Sequence, residues 1–145
     1  MIDVLARCFL VSCVSQKATS AREARDLYLS DWFVKARRYV ESQKSPWFIL
    51  SAEHGLVQPN AVIAPYERTL NTMPVAERRA WAARVMRQMD GKLPAAERVV
   101  ILAGARYREF LMDYLKKRFG NVELPMEGLR IGEQLRWLKE HTTGG

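Results

Sequence analysis

Four short apolar runs recur along the chain, and each has the length and composition of a β-strand. They occupy residues 8–12, 47–50, 99–102 and 122–125. Short runs rich in Val, Ile, Leu and Phe are typical of strands buried on both faces. The last run ends at Pro125, which has no N–H for a central ladder, so it predicts an edge strand.

Between these runs, apolar residues recur at spacings of three and four, which is typical of helices. Ser30 is a natural N-cap, whereas Gly91 and Gly120 are expected to cap helix ends in the left-handed conformation. In the last helix Ile131 and Leu138 are expected to face inward. One or two helical turns over 21–28 and longer helices over 30–42, 74–91, 105–119 and 131–140 are predicted.

The alternation of strands and helices predicts the fold class. Strand–helix repeats favour an α/β three-layer sandwich, with a mostly parallel four-stranded sheet and helices on both faces. At 145 residues the chain is expected to form a single domain, 1–145, with residues 141–145 as a flexible tail. A long connection spans 58–73, and loops of this length in compact domains are often functional.

The apolar run at 47–50 stops abruptly in a polar turn formed by Ser51, Glu53, His54 and Gly55. In open α/β sheets, ligands bind outside the carboxyl ends of the strands, so this turn is a candidate site. Glu53 could activate water and His54 could donate a proton to a leaving group, with Ser51 as a substrate contact. The alternative is that His54 is a hydrogen-bonding cap.

The loop after the first strand carries Ser12, Cys13, Ser15 and Lys17. A thiol near a lysine is a candidate nucleophile because the cation favours the thiolate. The alternative is a small buried thiol beside a solvated lysine. We expect Lys17 to contact a base or a phosphate, and Ser12 and Ser15 to contribute polar contacts to the substrate.

Two aromatic positions are candidate contacts for a base. Tyr66 and Glu67 in the long connection offer a ring for stacking and an acid for an exocyclic amine. The alternative is that Tyr66 packs against the core and so anchors the loop. Tyr28 is the second candidate for stacking.

Two helix starts are candidate anion sites. Gly104, Arg106 and Tyr107 begin a helix directly after the third strand, where free N–H groups attract anions. Gly132 opens the last helix and offers a second such site. The alternative for Gly132 is that a glycine there permits close packing.

The formal net charge of +7 favours nucleic acid or another polyanion as partner. No apolar run approaches the length of a membrane span, and no metal-ligand spacing or phosphate-binding glycine loop is present. We therefore predict no cofactor, metal or membrane contact. Cys8 and Cys13 are too far apart in an extended strand for a disulfide, and the acidic start is not that of a signal peptide. A cytoplasmic location follows as an expectation.

A set of short motifs in chain order resembles a family of small bacterial and phage proteins of unknown function related to the peroxide stress protein YaaA. The motifs are Leu10-Val11-Ser12-Cys13 with Lys17, Asp26-Leu27-Tyr28, Ile49 to Leu56, Pro65-Tyr66, Leu102-Ala103-Gly104 with Tyr107, and Gly128-Leu129 with Ile131-Gly132. The resemblance implies a fold similar to uracil-DNA glycosylases and a pocket for a flipped or modified nucleobase. It favours DNA over RNA as partner, because YaaA is associated with DNA binding.

Three functions follow as hypotheses. The first is an N-glycosidase acting on modified or damaged bases. There Glu53 activates water, His54 or Lys17 stabilises the departing base, and Arg106 holds a phosphate. The second is a modified-base transferase resembling archaeosine synthase, with Cys13 or Lys17 at the reacting atoms. The third is a non-catalytic DNA-binding stress or defence protein. Oligomeric state is left open.

Overall fold

A five-stranded sheet forms the centre of the computed structural model, which describes residues 5–143. The strand order is β4–β3–β1–β6–β7, and all neighbours pair in parallel except β3 and β4. The strands are β1 (Leu5–Ser12), β3 (Trp47–Ser51), β4 (Gly55–Val57), β6 (Ala96–Leu102) and β7 (Asn121–Glu123). The four parallel strands coincide with the four apolar runs, and β7 lies at an edge as predicted. The mixed α/β class is confirmed.

The predicted count of four strands is wrong, because β4 adds a fifth. It pairs antiparallel with β3 through a tight turn, which places Ser51 opposite Gly55 and Ile49 opposite Val57. Three residues are too few to give a periodic signal of their own, so the sequence pattern does not reveal this strand.

The helices follow the predicted pattern with three differences. They are α1 (Ala24–Leu27), α2 (Asp31–Ser42), α3 (Val75–Lys92), α4 (Ala105–Arg108), α5 (Met112–Arg118) and α6 (Ile131–His141). Ser30 caps α2 as predicted, since its hydroxyl accepts from the Phe33 N–H. Gly91, however, lies inside α3, and neither Gly91 nor Gly120 has the positive φ predicted for it. The helix predicted after β6 is split into α4 and α5, and Ile131 is 62% exposed, not inward.

The long connection is fastened to the segment after β1 by a second, two-stranded sheet. Its strands are β2 (Arg22–Glu23) and β5 (Val62–Ile63), which pair antiparallel. Two backbone bonds extend the attachment, from the Ala24 N–H to the Ala61 carbonyl at 2.7 Å and from the Arg25 N–H to the Pro59 carbonyl at 2.9 Å. The connection is therefore held by the protein at several points, although its regular structure is limited to β5 and one turn of 3-10 helix, Leu70–Thr72.

The core lies against the central strands. Phe9, Leu10 and Val11 of β1 are fully buried, as are Ile49 and Leu50 of β3. Burying one such side chain stabilises the fold by roughly 1.5–3 kcal/mol. The ends of these strands are thereby fixed in position, and with them the residues that follow.

The carboxyl terminus is partly described. His141 is the last residue of α6, and the Thr143 N–H donates to the Ser42 hydroxyl at 3.3 Å. The flexible tail predicted for 141–145 includes residues 144 and 145, which lie outside the described part. Within residues 5–143 no helix combines the length and apolar character needed to cross a bilayer.

Replacing Gly55 by alanine is expected to lower the free energy of unfolding by about 1–3 kcal/mol. Gly55 has a φ of +77°, and an added Cβ would collide with the Gln88 side-chain carbonyl oxygen. That oxygen accepts from the Leu56 N–H, so moving it breaks a bond that fastens β4. Urea unfolding measures the loss.

Gly91→Ala is the control, because Gly91 lies in α3 and a Cβ there meets no atom within 4 Å. We expect its stability to be unchanged or higher. An equal loss in both variants would contradict the role given to the Gly55 backbone.

Candidate functional site

Helix α3 holds the turn between β3 and β4 by side chains at three positions of one helix face. Residues three and four apart share a face, and here they reach three carbonyl groups of the turn. Trp81 donates to the Ser51 carbonyl at 2.9 Å, Arg84 to the Glu53 carbonyl at 2.9 Å and Gln88 to the His54 carbonyl at 3.1 Å. The turn is thus fixed by side-chain hydrogen bonds as well as by the sheet.

A chain of hydroxyl groups starts from this turn. The Ser51 hydroxyl donates to the Tyr66 phenol at 2.8 Å and accepts from the His54 N–H at 3.0 Å. The phenols of Tyr66 and Tyr28 lie 2.7 Å apart. Burial raises the pKa of both phenols, and the Cys13 thiol adds to the effect at each. Both tyrosines therefore keep their protons at neutral pH.

Lys17 lies over this chain. Its backbone forms an isolated antiparallel bridge with Tyr28, which places the side chain beside the two rings. The Lys17 ammonium is 4.3 Å from the centre of the Tyr66 ring and 5.8 Å from that of Tyr28. Burial lowers the pKa of Lys17, while Cys13 and Glu67 act in the opposite direction. The rings supply attraction to a cation that has lost part of its water.

Cys13 and Tyr107 join the end of β1 to the helix after β6. The Cys13 thiol, 6% exposed, donates to the Tyr107 phenol at 3.5 Å. The same phenol contacts the Thr69 hydroxyl and accepts from the Leu70 N–H, both at 3.4 Å. Burial raises the pKa of Tyr107, and the Cys13 thiol raises it further. One phenol therefore connects β1, the long connection and α4.

Cys13, Lys17 and Tyr107 border a cleft of about 410 Å³ at the carboxyl ends of β1 and β6. That volume is in the range of small-molecule pockets. The first loop, the long connection and the start of α4 contribute the wall. Its residues include Ser12, Cys13, Ser15, Lys17, Glu67, Arg68, Thr69, Asn71, Gly104 and Tyr107.

The cleft offers a cation, a carboxylate and a thiol close together. Lys17 can stabilise a developing anion, Glu67 can accept a proton, and Cys13 can present a sulfur atom. Within residues 5–143 no three side chains among His, Cys, Asp and Glu lie close enough to hold a metal ion.

Most of the residues proposed from the sequence meet at this cleft. Seven line it, and Tyr28, Ser51 and Tyr66 form the hydroxyl chain beside Lys17. The seven are Ser12, Cys13, Ser15, Lys17, Glu67, Gly104 and Tyr107.

The four remaining proposed residues contribute no side chain to the cleft lining or to the hydroxyl chain. The Glu53 carboxylate pairs with Arg68 at 3.6 Å. His54 sets its ring edge-on against Tyr66, with centroids 5.5 Å apart, and borders a different depression beside Gln88. Arg106 and Gly132 are exposed residues near the starts of α4 and α6.

Arg68, Thr69 and Asn71 also line the cleft, although the sequence pattern does not mark them as site residues. They follow Tyr66 and Glu67 in the same connection, so its length was the available signal. Thr69 also begins the short 3-10 turn, where its hydroxyl accepts from the Asn71 N–H at 3.2 Å. A threonine two residues before an asparagine does not by itself predict a binding site.

Tyr66→Phe is expected to lower the free energy of unfolding by about 1–3 kcal/mol, because the buried hydroxyls of Tyr28 and Ser51 each lose a partner. The phenylalanine ring still faces Lys17, so the loss reports on hydrogen bonding. Tyr114→Phe is the matched control, since the Tyr114 phenol bonds to exposed Asp90. Chemical unfolding of both variants measures the difference, and equal losses would argue against the buried chain.

Stability should fall above pH 10.0, the ordinary pKa of tyrosine, because burial raises the pKa of Tyr28, Tyr66 and Tyr107. Below that pH both states keep the protons, and the contribution is fully present. Above it the unfolded chain ionises first, so stability is lost as pH rises toward the folded-state values. Unfolding midpoints measured across this range should fall less steeply in Tyr66→Phe than in the wild type. Equal slopes would count against this assignment.

The comparison with known proteins gives a family but no activity. No curated protein matches the chain. The sequence profile of a family of unknown function, DUF6884, matches residues 8–140, a span that contains the whole cleft. This match confirms the predicted membership of a family of unknown function. The chain belongs to the DUF6884 family.

Proposed function

We propose that the cleft binds a nucleobase and that the protein is a nucleic-acid-associated N-glycosidase acting on modified or damaged bases. The observation that carries this proposal is the Lys17 ammonium, held 4.3 Å from the Tyr66 ring in a cleft that also contains Glu67. A partly desolvated cation in the same cleft as a carboxylate suits a reaction in which an anion leaves and water enters. The net charge of +7 supports a polyanionic partner.

The resemblance to relatives of YaaA adds the expectation of a base pocket in a three-layer sandwich similar to uracil-DNA glycosylases. In that arrangement helices cover both faces of the sheet, and the base enters at the strand ends. The cleft at the carboxyl ends of β1 and β6 is consistent with such an entry.

In the proposed reaction, the bond between the sugar C1′ and the base nitrogen breaks, and its electron pair stays on the base. Lys17 stabilises the resulting anion. A water oxygen bonds to C1′ and gives its proton to Glu67, from which a proton returns to the base nitrogen. Positioned proton transfer of this kind contributes roughly 10²–10⁴-fold in rate.

Glu67 replaces Glu53 as the proposed water-activating group. Glu67 lines the cleft, whereas the Glu53 carboxylate contacts Arg68 at the rim. Tyr28 is 1% exposed, so its proposed role is to position Tyr66 and not to stack on the base. Tyr66 in turn positions Lys17.

A modified-base transferase is the second candidate, and the placement of Cys13 favours it. The thiol lines the same cleft as the Lys17 ammonium. A sulfur atom there could carry a group to the base. The Cys13 and Lys17 pair also matches loosely the residues after the first strand in archaeosine synthase-like enzymes.

Mass spectrometry of oligonucleotides incubated with the protein distinguishes the functions. DNA and RNA oligomers carrying oxidised or alkylated bases are the substrates. Release of free base supports the N-glycosidase, and DNA is expected to react better than RNA. An added mass on the base indicates the transferase, and unchanged polymer indicates a binding protein.

Glu67→Gln is expected to reduce base release by roughly 10²–10⁴-fold, the range of a general base. Glu53→Gln is the matched control, because the same chemical change falls outside the cleft lining. It should retain most of the rate. Full turnover by Glu67→Gln, or loss confined to Glu53→Gln, would contradict the assignment.

A further inference from the structure

A second depression adjoins the cleft at Arg68. It has a volume of about 380 Å³ and runs along α3, with Arg68, Arg84 and Arg87 among its lining residues. Trp81 and Met73 supply apolar surface. Arg68 lines both this groove and the cleft, so the two lie on either side of one side chain.

The charge of the groove is predominantly positive. Glu77 is the acidic residue in its lining, against three arginines. The Glu53 carboxylate approaches Arg68 at 3.6 Å, but both side chains are about half exposed, with 57% and 40% of their surface accessible. Ion pairs this exposed are worth little, so a stronger anion can compete for Arg68.

Arg84 and Arg87 have donor groups available. Arg84 uses one NH₂ group on the Glu53 carbonyl, and its other NH₂ group forms no hydrogen bond within the described range 5–143. Arg87 is exposed and forms no ion pair in that range. The two lie three positions apart on one helix, where neighbouring side chains share a face. A planar guanidinium matches phosphate oxygens in a two-bond geometry.

We propose that this groove binds the phosphodiester backbone of a single-stranded nucleic acid whose base occupies the cleft. The inference rests on the proposed function for its choice of partner, since the groove adjoins the base cleft at Arg68. A base that enters the cleft has left its stack, so the adjoining backbone is single-stranded or locally opened. Arg68, Arg84 and Arg87 contact successive phosphates, and Met73 lies beneath a sugar.

This placement changes the expected phosphate site. Arg106 was the candidate from the sequence, but it lies outside the linings of both the cleft and the groove. The helix that it belongs to, α4, has four residues, too few to supply a helix-terminus anion site. The three arginines on α3 and the long connection supply the charge instead.

Fluorescence anisotropy with a labelled oligodeoxythymidylate tests the groove. For single strands the logarithm of the binding constant falls with that of the salt concentration with a slope of about −0.7 per neutralised phosphate. The double variant Arg84→Gln/Arg87→Gln should reduce the steepness of this slope by about 1.4, for two lost contacts. Lys116→Gln/Lys117→Gln is the control with the same change in charge, on exposed positions of α5, and should leave the slope unchanged.

The single variant Arg87→Gln tests the groove without disturbing the β3–β4 turn, because Arg84 holds that turn and Arg87 does not. It should reduce the slope by about 0.7 with an unchanged unfolding midpoint. An unaltered slope in the Arg87 and double variants, or an equal change in the lysine control, would overturn the proposal. The proposal would also be overturned if the arginine variants lost binding to polyglutamate as much as binding to the oligonucleotide. The groove would then bind any polyanion and not a nucleic acid in particular.

The outcomes separate the groove from the proposed function. If no base is released from any oligomer while the arginine variants flatten the salt slope, the groove stands and the N-glycosidase fails. If base is released at the wild-type rate by the double variant at every salt concentration, with an unaltered slope, the cleft chemistry stands and the groove is overturned.

Discussion

Ser51 is the buried polar residue on which the site depends. Its carbonyl accepts from the Trp81 indole, its hydroxyl donates to Tyr66, and the same hydroxyl accepts from the His54 N–H. The residue is fully buried, so each lost partner would leave a polar group without water to replace it. Helix α3, the β3–β4 turn and the long connection are thereby fixed relative to one another by one serine.

The position of Lys17 follows from that constraint. Ser51 holds Tyr66, Tyr66 bonds to Tyr28, and the backbone of Tyr28 pairs with that of Lys17. Burying a lysine without such support would be costly, because water would be lost with nothing to replace it. Here two aromatic rings face the ammonium group, and Glu67 and Cys13 favour its charged form. A charged group with restricted freedom is the type of residue that can act on a developing anion without reorganisation.

Composition and periodicity were sufficient to predict the parallel strands and most of the helices, because continuous apolar runs and a 3.6-residue period report burial directly. They also identified the loops that form the cleft.

Composition and periodicity could not distinguish Glu53 from Glu67 as the carboxylate of the cleft. Both follow a structured segment in the sequence, and the direction of each carboxylate depends on tertiary contacts. Arg84 fixes the backbone of Glu53, and the Glu53 side chain turns toward Arg68. Likewise, no proline or glycine marks the break between α4 and α5. The sequence therefore predicts a longer helix at Arg106 than the four residues of α4.

The positive charges of the protein differ in what they can do, and the difference is set by burial. Lys17 is partly desolvated beside two rings, so its interaction with an anion would be strong, short-ranged and sensitive to geometry. The arginines of the groove remain in contact with water, where salt screens them within about 10 Å. Exposed cations of that kind attract a phosphate backbone with little regard to sequence, and a confined cleft then selects the base. In the proposed function, affinity would therefore come mainly from the groove and chemical selectivity from the cleft. A change in the net charge of the groove would alter how often a base arrives and leave the reaction at Lys17 unaltered.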